Sequence, residues 1–282
     1  MALVPPNIIP ENNLRLPDAL TVKYGPAQPL ARFLLGADKA ARRKGVSLRI
    51  RHDFDELLRI NEAYTERGIW YPLVNGFNPK CAELKPENSV WVSGEDENGE
   101  IAVTAACRIF NWCGTSLAEQ ARTVWYGRDL GQACVVTAKA AVQIVGTVGW
   151  GGASWVRPDF RGRHLSYLIP RVLKAYVASR WPVDWIFCFI GIDNVRRGLA
   201  ASYGYKNLSH SVFYPSSPHG EQVIAYTRVS EFYEELTAFM AAGGSIMEAD
   251  DFEEPSLSSV GMEHIVTNTS SDDVLHGNIN RS

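Results

Sequence analysis

No apolar stretch in this chain reaches the roughly 18–20 residues that a membrane-spanning helix needs, so no transmembrane segment is expected. The amino terminus has no basic region followed by an apolar core; no secretory signal is read, and a cytoplasmic protein without a membrane partner is expected. Positive charge is not in excess. The 282 residues carry 28 Lys and Arg against 31 Asp and Glu, a net charge of −3, which gives no electrostatic footprint for nucleic acid. Cysteine is scarce: Cys81, Cys107, Cys113, Cys134 and Cys188 are odd in number and lack the paired spacing of a metal site. Reduced thiols and no metal centre are therefore expected. No Gly-x-Gly-x-x-Gly follows an early strand, which argues against a dinucleotide-binding dehydrogenase. What remains, 46% hydrophobic and 21% charged, suits one large globular domain with appendages.

The most informative segment runs from Trp155 to Ser166. A strand-like stretch ends at Pro158, a basic loop follows with Arg161 and Arg163, and an apolar-periodic helix begins. Leu165, Leu168, Ile169, Val172, Leu173, Tyr176 and Val177 recur at helical spacing, with Pro170 as a candidate kink in the second turn. Trp185–Ile190 is a continuous apolar run, as in a strand covered on both faces. Strand, loop, helix and strand read as a right-handed βαβ crossover. A helix start beside a basic loop aims backbone N–H groups and a positive dipole end at one spot, which suits a pyrophosphate.

The flanking pattern is mixed α/β. Residues 1–26 read as irregular, and residues 28–44 as a helix with a basic end. Ser47–Arg51 alternates as a first strand, Asp53 is placed to cap a helix ending near Gly68, and Asn98-Gly99 joins strands at 89–93 and 100–109 as a hairpin. A helix is expected near 116–125 and a long central strand over 142–156, with Gly146, Gly149, Gly151 and Gly152 marking a bulge or a close backbone approach. Strands at 210–214 and 223–228 close the domain, and Ser230 is placed to cap a last helix. From Gly243 the chain is acidic and rich in Ser and Asn, as disordered segments are.

The central segment resembles the GCN5-related N-acetyltransferase (GNAT) superfamily. In that family a strand ending Val-x-Pro is followed by Arg/Gln-x-x-Gly-x-Gly/Ala, whose backbone cradles the acyl-CoA pyrophosphate. The matching positions here are Arg161, Gly162, Arg163, His164, Leu165 and Ser166. Asn194 and the pair Gly204-Tyr205 match further family positions. The similarity is clearest from Val142 to Tyr214 and is a matter of pattern from Val46 to Asn111. Two departures stand out: His164 and Ser166 replace small loop residues, and Ala200 occupies the position of the usual tyrosine acid. Tyr203 lies nearby but about 300° further round a continuous helix, and is the candidate thiolate acid.

The resemblance implies a GNAT fold, a mixed central sheet with splayed parallel strands flanked by helices. It sets the domain at 45–242, with an insertion at about 111–137, an amino-terminal extension over 1–44 and a disordered tail over 243–282. It further implies transfer of an acetyl group from acetyl-CoA to a primary amine by direct transfer. Val156 would contact pantetheine and polarise the carbonyl, and Asn194 would help across the cleft. No Asp, Glu or His lies between Val142 and Val156, so Glu95, Asp193, His210 or water remain as candidate bases. The aromatic stretch Ile69–Phe77 is the candidate acceptor wall, extended by Trp112, Trp125 and Tyr126. The acceptor, a small-molecule amine or a protein amine, stays open. So does a non-catalytic module of this fold that binds acyl-CoA or a partner.

Overall fold

Period-two alternation places successive side chains of each strand on opposite faces of a sheet, and here both faces are covered. A computed structural model of the protein describes residues 13–129, 132–215 and 220–241. Nine strands among them form one sheet in the order β1-β2-β3-β4-β6-β7-β9-β8-β5. They are β1 Asn13–Arg15, β2 Ser47–Arg51, β3 Ser89–Glu95, β4 Ile101–Trp112, β5 Val135–Val136, β6 Gly146–Val156, β7 Trp185–Gly191, β8 Asn207–Phe213 and β9 Glu221–Arg228. The helices are α1 Ala27–Arg43, α2 Phe54–Glu66, α3 Leu117–Tyr126, α4 Leu165–Arg180, α5 Ile192–Arg196, α6 Leu199–Ser202 and α7 Val229–Ala241.

Of the neighbouring pairs, β6 and β7 run parallel and the others antiparallel. A parallel pair needs a crossover, and α4 supplies it. Strand β3 shows how the layers form. Val90 and Val92 point into the core shared by α1, α4 and α7, whereas Trp91 points into the core under α2 and α3. The first core contains Leu30, Phe33 and Leu34 of α1, Ile169 and Leu173 of α4, and Phe232 of α7. The second is aromatic, with Phe77, Trp91, Trp150 and Phe187. The expected fold class, a mixed sheet with a splayed parallel pair flanked by helices, is the one observed.

Local signals account for most boundaries. Asp53 caps α2 by accepting from the Glu56 N–H at 3.0 Å. Ser116 and Glu119 form a reciprocal capping box that starts α3. Gly99 takes φ +79° in the β3–β4 turn. Pro170 lies within an uninterrupted α4.

Four expectations need correction. Asn13–Arg15, read as irregular, pairs with β2 as an edge strand. The central strand begins at Gly146 rather than at 142, because Lys139–Val142 closes a 3-10 turn first. Ser230 lies inside the first turn of α7, and Glu231 Oε2 accepts the Arg228 N–H at 3.3 Å instead. The 28–44 helix is no appendage, since its apolar stripe packs into the same core as α4. The expected disordered tail over 243–282 lies outside the described residues.

Candidate active site

Hydrogen bonding between β6 and β7 runs from Val148–Trp185 to Gly151–Cys188 and stops there. Both strands continue, to Val156 and Gly191, so they splay. A bulge helps. The β4–β6 register shifts between Thr104 and Ala106, and opposite it Ala153 takes φ +48°, held by the Thr104 hydroxyl donating to its carbonyl at 2.9 Å. Bulges increase local twist and re-aim a strand edge. The Arg157 N–H donates to Ala102 O at 2.8 Å; by the alternation of an antiparallel strand the Val156 N–H points to the opposite edge, into the split.

The split opens into a cavity of about 870 Å³ that passes through the sheet, from the α4 face to the face under α2 and α3. Val156, Arg161, Gly162, His164, Leu165, Ser166, Asn194 and Tyr203 all line it. On the α4 side, Pro158–Phe160 makes one 3-10 turn and Gly162 follows at φ +78°, with no atom within 4 Å of where a Cβ would stand. His164 also adopts a left-handed φ, +55°, as the N-cap of α4. This is the conformation for which glycine is favoured, and His is among the side chains that visit it more readily than most. The first N–H groups of a helix have no intrahelical partner, and Leu165 and Ser166, which carry them at the start of α4, line this mouth. Arg161 is exposed beside it and donates to Val156 O at 3.4 Å.

Arg163 is the exception among the expected loop residues. Its guanidinium lies over the Phe160 ring at 4.1 Å and donates to Lys44 O and Asp159 O, so its side chain is spent on the fold.

Across the split, α5 brings exposed Asn194 to the cavity, and Arg197, missed in the sequence, stands beside it. Ala200 is buried away from the cavity in a small cluster with Tyr205 and Cys188. Tyr203 is still helical, its N–H donating to Leu199 O at 2.9 Å, so the roughly 300° offset holds: it turns Tyr203 to the cavity and leaves Ala200 off it. Its hydroxyl bonds the Ser154 side chain. Burial pushes its phenol up, outweighing the Ser154 bond, so it keeps its proton through the neutral range.

Behind Tyr203 and Tyr205 sits Lys174, 3% exposed. Its Nζ donates to Gly204 O at 2.6 Å and stands 4.3 Å from the Tyr205 ring centroid. Arg171, one turn earlier, donates to Ser202 O and to Ala201 O. The two cations together hold the carbonyls that end α6. Burial first, and the Arg171 charge second, lower the Lys174 ammonium to about 7. Lys174 falls in the apolar-periodic stretch of α4, so hydropathy alone gave no reason to single it out.

On the other face residues 69–74 and Phe77 line the cavity. Buried Asn61 braces them, donating to Tyr71 O at 2.8 Å and accepting from Leu73 N at 3.0 Å. Trp155 Nε1 donates to Ile69 O at 3.0 Å, and Trp70 stacks on Trp155 with centroids 4.6 Å apart. Trp125 joins this wall; Trp112 and Tyr126 pack into the core behind it. Of the candidate bases, Asp193 lines the cavity, exposed and bonded to Arg196 at 3.0 Å. Glu95 is buried in an ion cluster with Arg49 and Arg51, and His210 lies on β8; neither lines the cavity. Cys107 and Cys188 are buried thiols on the cavity wall, and burial pushes Cys188 up to about 12. Among the described residues no cluster of metal-ligating side chains exists, and no helix is long and apolar enough to cross a membrane.

No protein-family model matches the sequence, and no curated protein matches it. Solved structures do. RimJ from Mycobacterium smegmatis in complex with CoA-disulfide is 12% identical, over 70% of this chain and 90% of that one, with a TM-score of 0.38. Aminoglycoside acetyltransferase AAC(6')-Ib in complex with coenzyme A is 15% identical over 67% and 98%, TM-score 0.40. A variant of SpeG spermidine N-acetyltransferase from Vibrio cholerae is 11% identical over 67% and 96%, TM-score 0.39. This chain is similar to GNAT acetyltransferases. At such scores the fold assignment rests on the splayed β6–β7 pair and its α4 crossover, not on the overlays.

Proposed function

We propose that the chain is an acyl-CoA-dependent N-acyltransferase that moves an acetyl group from acetyl-CoA to a primary amine by direct transfer. The observation that carries this reading is the junction of two features: a split parallel pair with an unpaired β6 edge, and a left-handed loop leading into the start of α4 at one mouth of that split. The residues fit the donor. Gly162 leaves room for a pyrophosphate, the N–H groups from Gly162 to Ser166 and the Arg161 guanidinium supply donors, and Asn194 approaches from α5.

Bound acetyl-CoA supplies the activated thioester. The β6 edge at Val156 pairs the pantetheine amides and holds the thioester carbonyl against a main-chain N–H, which stabilises developing negative charge. The cavity aligns donor and acceptor from opposite faces of the sheet, which removes much of the entropic cost of their meeting. Tyr203, which lines the cavity and is held by Ser154, delivers its proton to the departing thiolate. The acceptor loses its proton to water, since among the described residues no carboxylate or imidazole lines the aromatic end of the cavity.

That last observation is also what favours the second reading, a module that binds acyl-CoA without turnover. One assay separates them. Purified protein is incubated with acetyl-CoA and a panel of primary amines, and free thiol is followed. Amine-dependent release supports the transferase; saturable acetyl-CoA binding with no release from any amine supports the binding module.

A further inference from the structure

The two mouths of the cavity differ in charge. The cations in its wall, Arg161, Lys174 and Arg197, come from the α4 loop, from α4 itself and from the segment after β7, where the anionic donor is placed above. The single carboxylate in the wall, Asp193, is on the same side, 77% exposed and bonded to Arg196. The opposite end is lined by Trp70, Tyr71, Phe77, Trp125, Trp150 and Phe189; among the described residues no ionised side chain lines it, and the nearest, the buried Arg108 guanidinium beside Trp150, is turned to Gly76 O at 2.9 Å.

These rings are organised rather than loosely gathered. Phe77 stacks on Trp150 at 4.2 Å, Trp125 meets Phe189 edge to face at 5.8 Å, and Trp70 is fixed on Trp155. Gly152 and Gly76 permit the approach: a Cβ on Gly152 would overlap the Phe77 ring, and one on Gly76 would overlap Val124 O and Trp150. Tyr71 stands at the rim, 70% exposed. Such a wall offers offset and edge-on ring contacts to an aromatic ligand. Its ring faces attract a second or third ammonium group by only about 0.5–2 kcal/mol, less than the several kcal/mol that desolvating an unpaired charge costs.

We infer that the acceptor is an amine whose remaining surface is uncharged and aromatic, an arylalkylamine in chemical class, and not a polycation. This rests on the transferase reading for the word acceptor, but the binding preference belongs to the wall itself. The test is therefore equilibrium binding. Phenethylamine, spermidine and kanamycin are titrated calorimetrically into the free protein and into protein saturated with CoA, beside the Tyr71→Ala variant.

The expected result is phenethylamine binding at least tenfold tighter than either polycation, weakened at least threefold by Tyr71→Ala with CoA affinity unchanged. Equal or tighter binding of spermidine or kanamycin overturns the inference, and so does the absence of phenethylamine binding to both forms. Failure of the transferase reading looks different: acetyl-CoA does not bind, or releases no thiol with any amine, whatever the order of amine affinities.

Discussion

Lys174 ties the stability of the fold to pH in a direction opposite to the usual surface lysine. Its ammonium is 3% exposed and meets a carbonyl and ring faces. Burial lowers it from 10.5 to about 7. Between those values the unfolded chain holds the proton and the folded chain does not, so unfolding takes up a proton and stability rises with pH. Below about pH 7 both states are protonated and the burial cost is constant; above about 10.5 neither is. Within the window the slope is about 1.4 kcal/mol per pH unit. For a domain of 150–250 residues 1 kcal/mol shifts Tm by about 2–4 °C, so the slope is about 3–6 °C per unit. The assay is thermal unfolding of the native protein and Lys174→Met at half-unit steps from pH 6.5 to 10. Other titrating groups are common to both, so the difference isolates Lys174. The native protein should gain on the variant steadily above pH 7. Parallel profiles across the whole range would refute an ammonium whose burial outweighs the pull of the Glu235 carboxylate.

Three further outcomes are expected. Gly162→Asp should weaken acetyl-CoA binding at least tenfold by calorimetry; the strain of a left-handed φ costs it only about 1 kcal/mol of stability, so a Tm drop of about 2–4 °C should accompany a folded protein. Tyr203→Phe should leave acetyl-CoA affinity unchanged and lower kcat roughly 10- to 100-fold in the thiol-release assay; an unchanged kcat removes Tyr203 as proton donor. Asn61→Leu strands the Leu73 N–H and the Tyr71 carbonyl, so it should cost about 1–3 kcal/mol in denaturant unfolding and raise the amine KM with little change in acetyl-CoA affinity.

The crossover was legible in the sequence because its signals agree with one another. Apolar periodicity marked α4, a continuous apolar run marked β7, and the Pro-to-Arg loop between β6 and α4 pointed to the anion site. What was missed follows from interactions that no local pattern encodes. Asn13–Arg15 has a polar, Asn-rich context and becomes a strand only because the β2 edge offers partners. The short α6 is another case: nothing at 199–202 announces it, and the carbonyls that end it are held by Arg171 and Lys174 from about thirty residues earlier. Arg163 looked equivalent to Arg161, and only the position of the Phe160 ring separates their roles. Lys174, Arg197 and the split of wall charges between the two mouths depend on which side chains meet across the sheet, a matter of tertiary packing.

The central claim is that the loop from Arg161 to Ser166 and the split beside it hold acetyl-CoA. Calorimetric titration of the purified protein with acetyl-CoA, repeated with Arg161→Ala, tests it most directly. The account predicts saturable micromolar binding to the native chain and a markedly weaker isotherm for the variant, since Arg161 is the one loop guanidinium turned toward the cavity. No heat of binding at high micromolar ligand, or equal affinity in the two proteins, would contradict it.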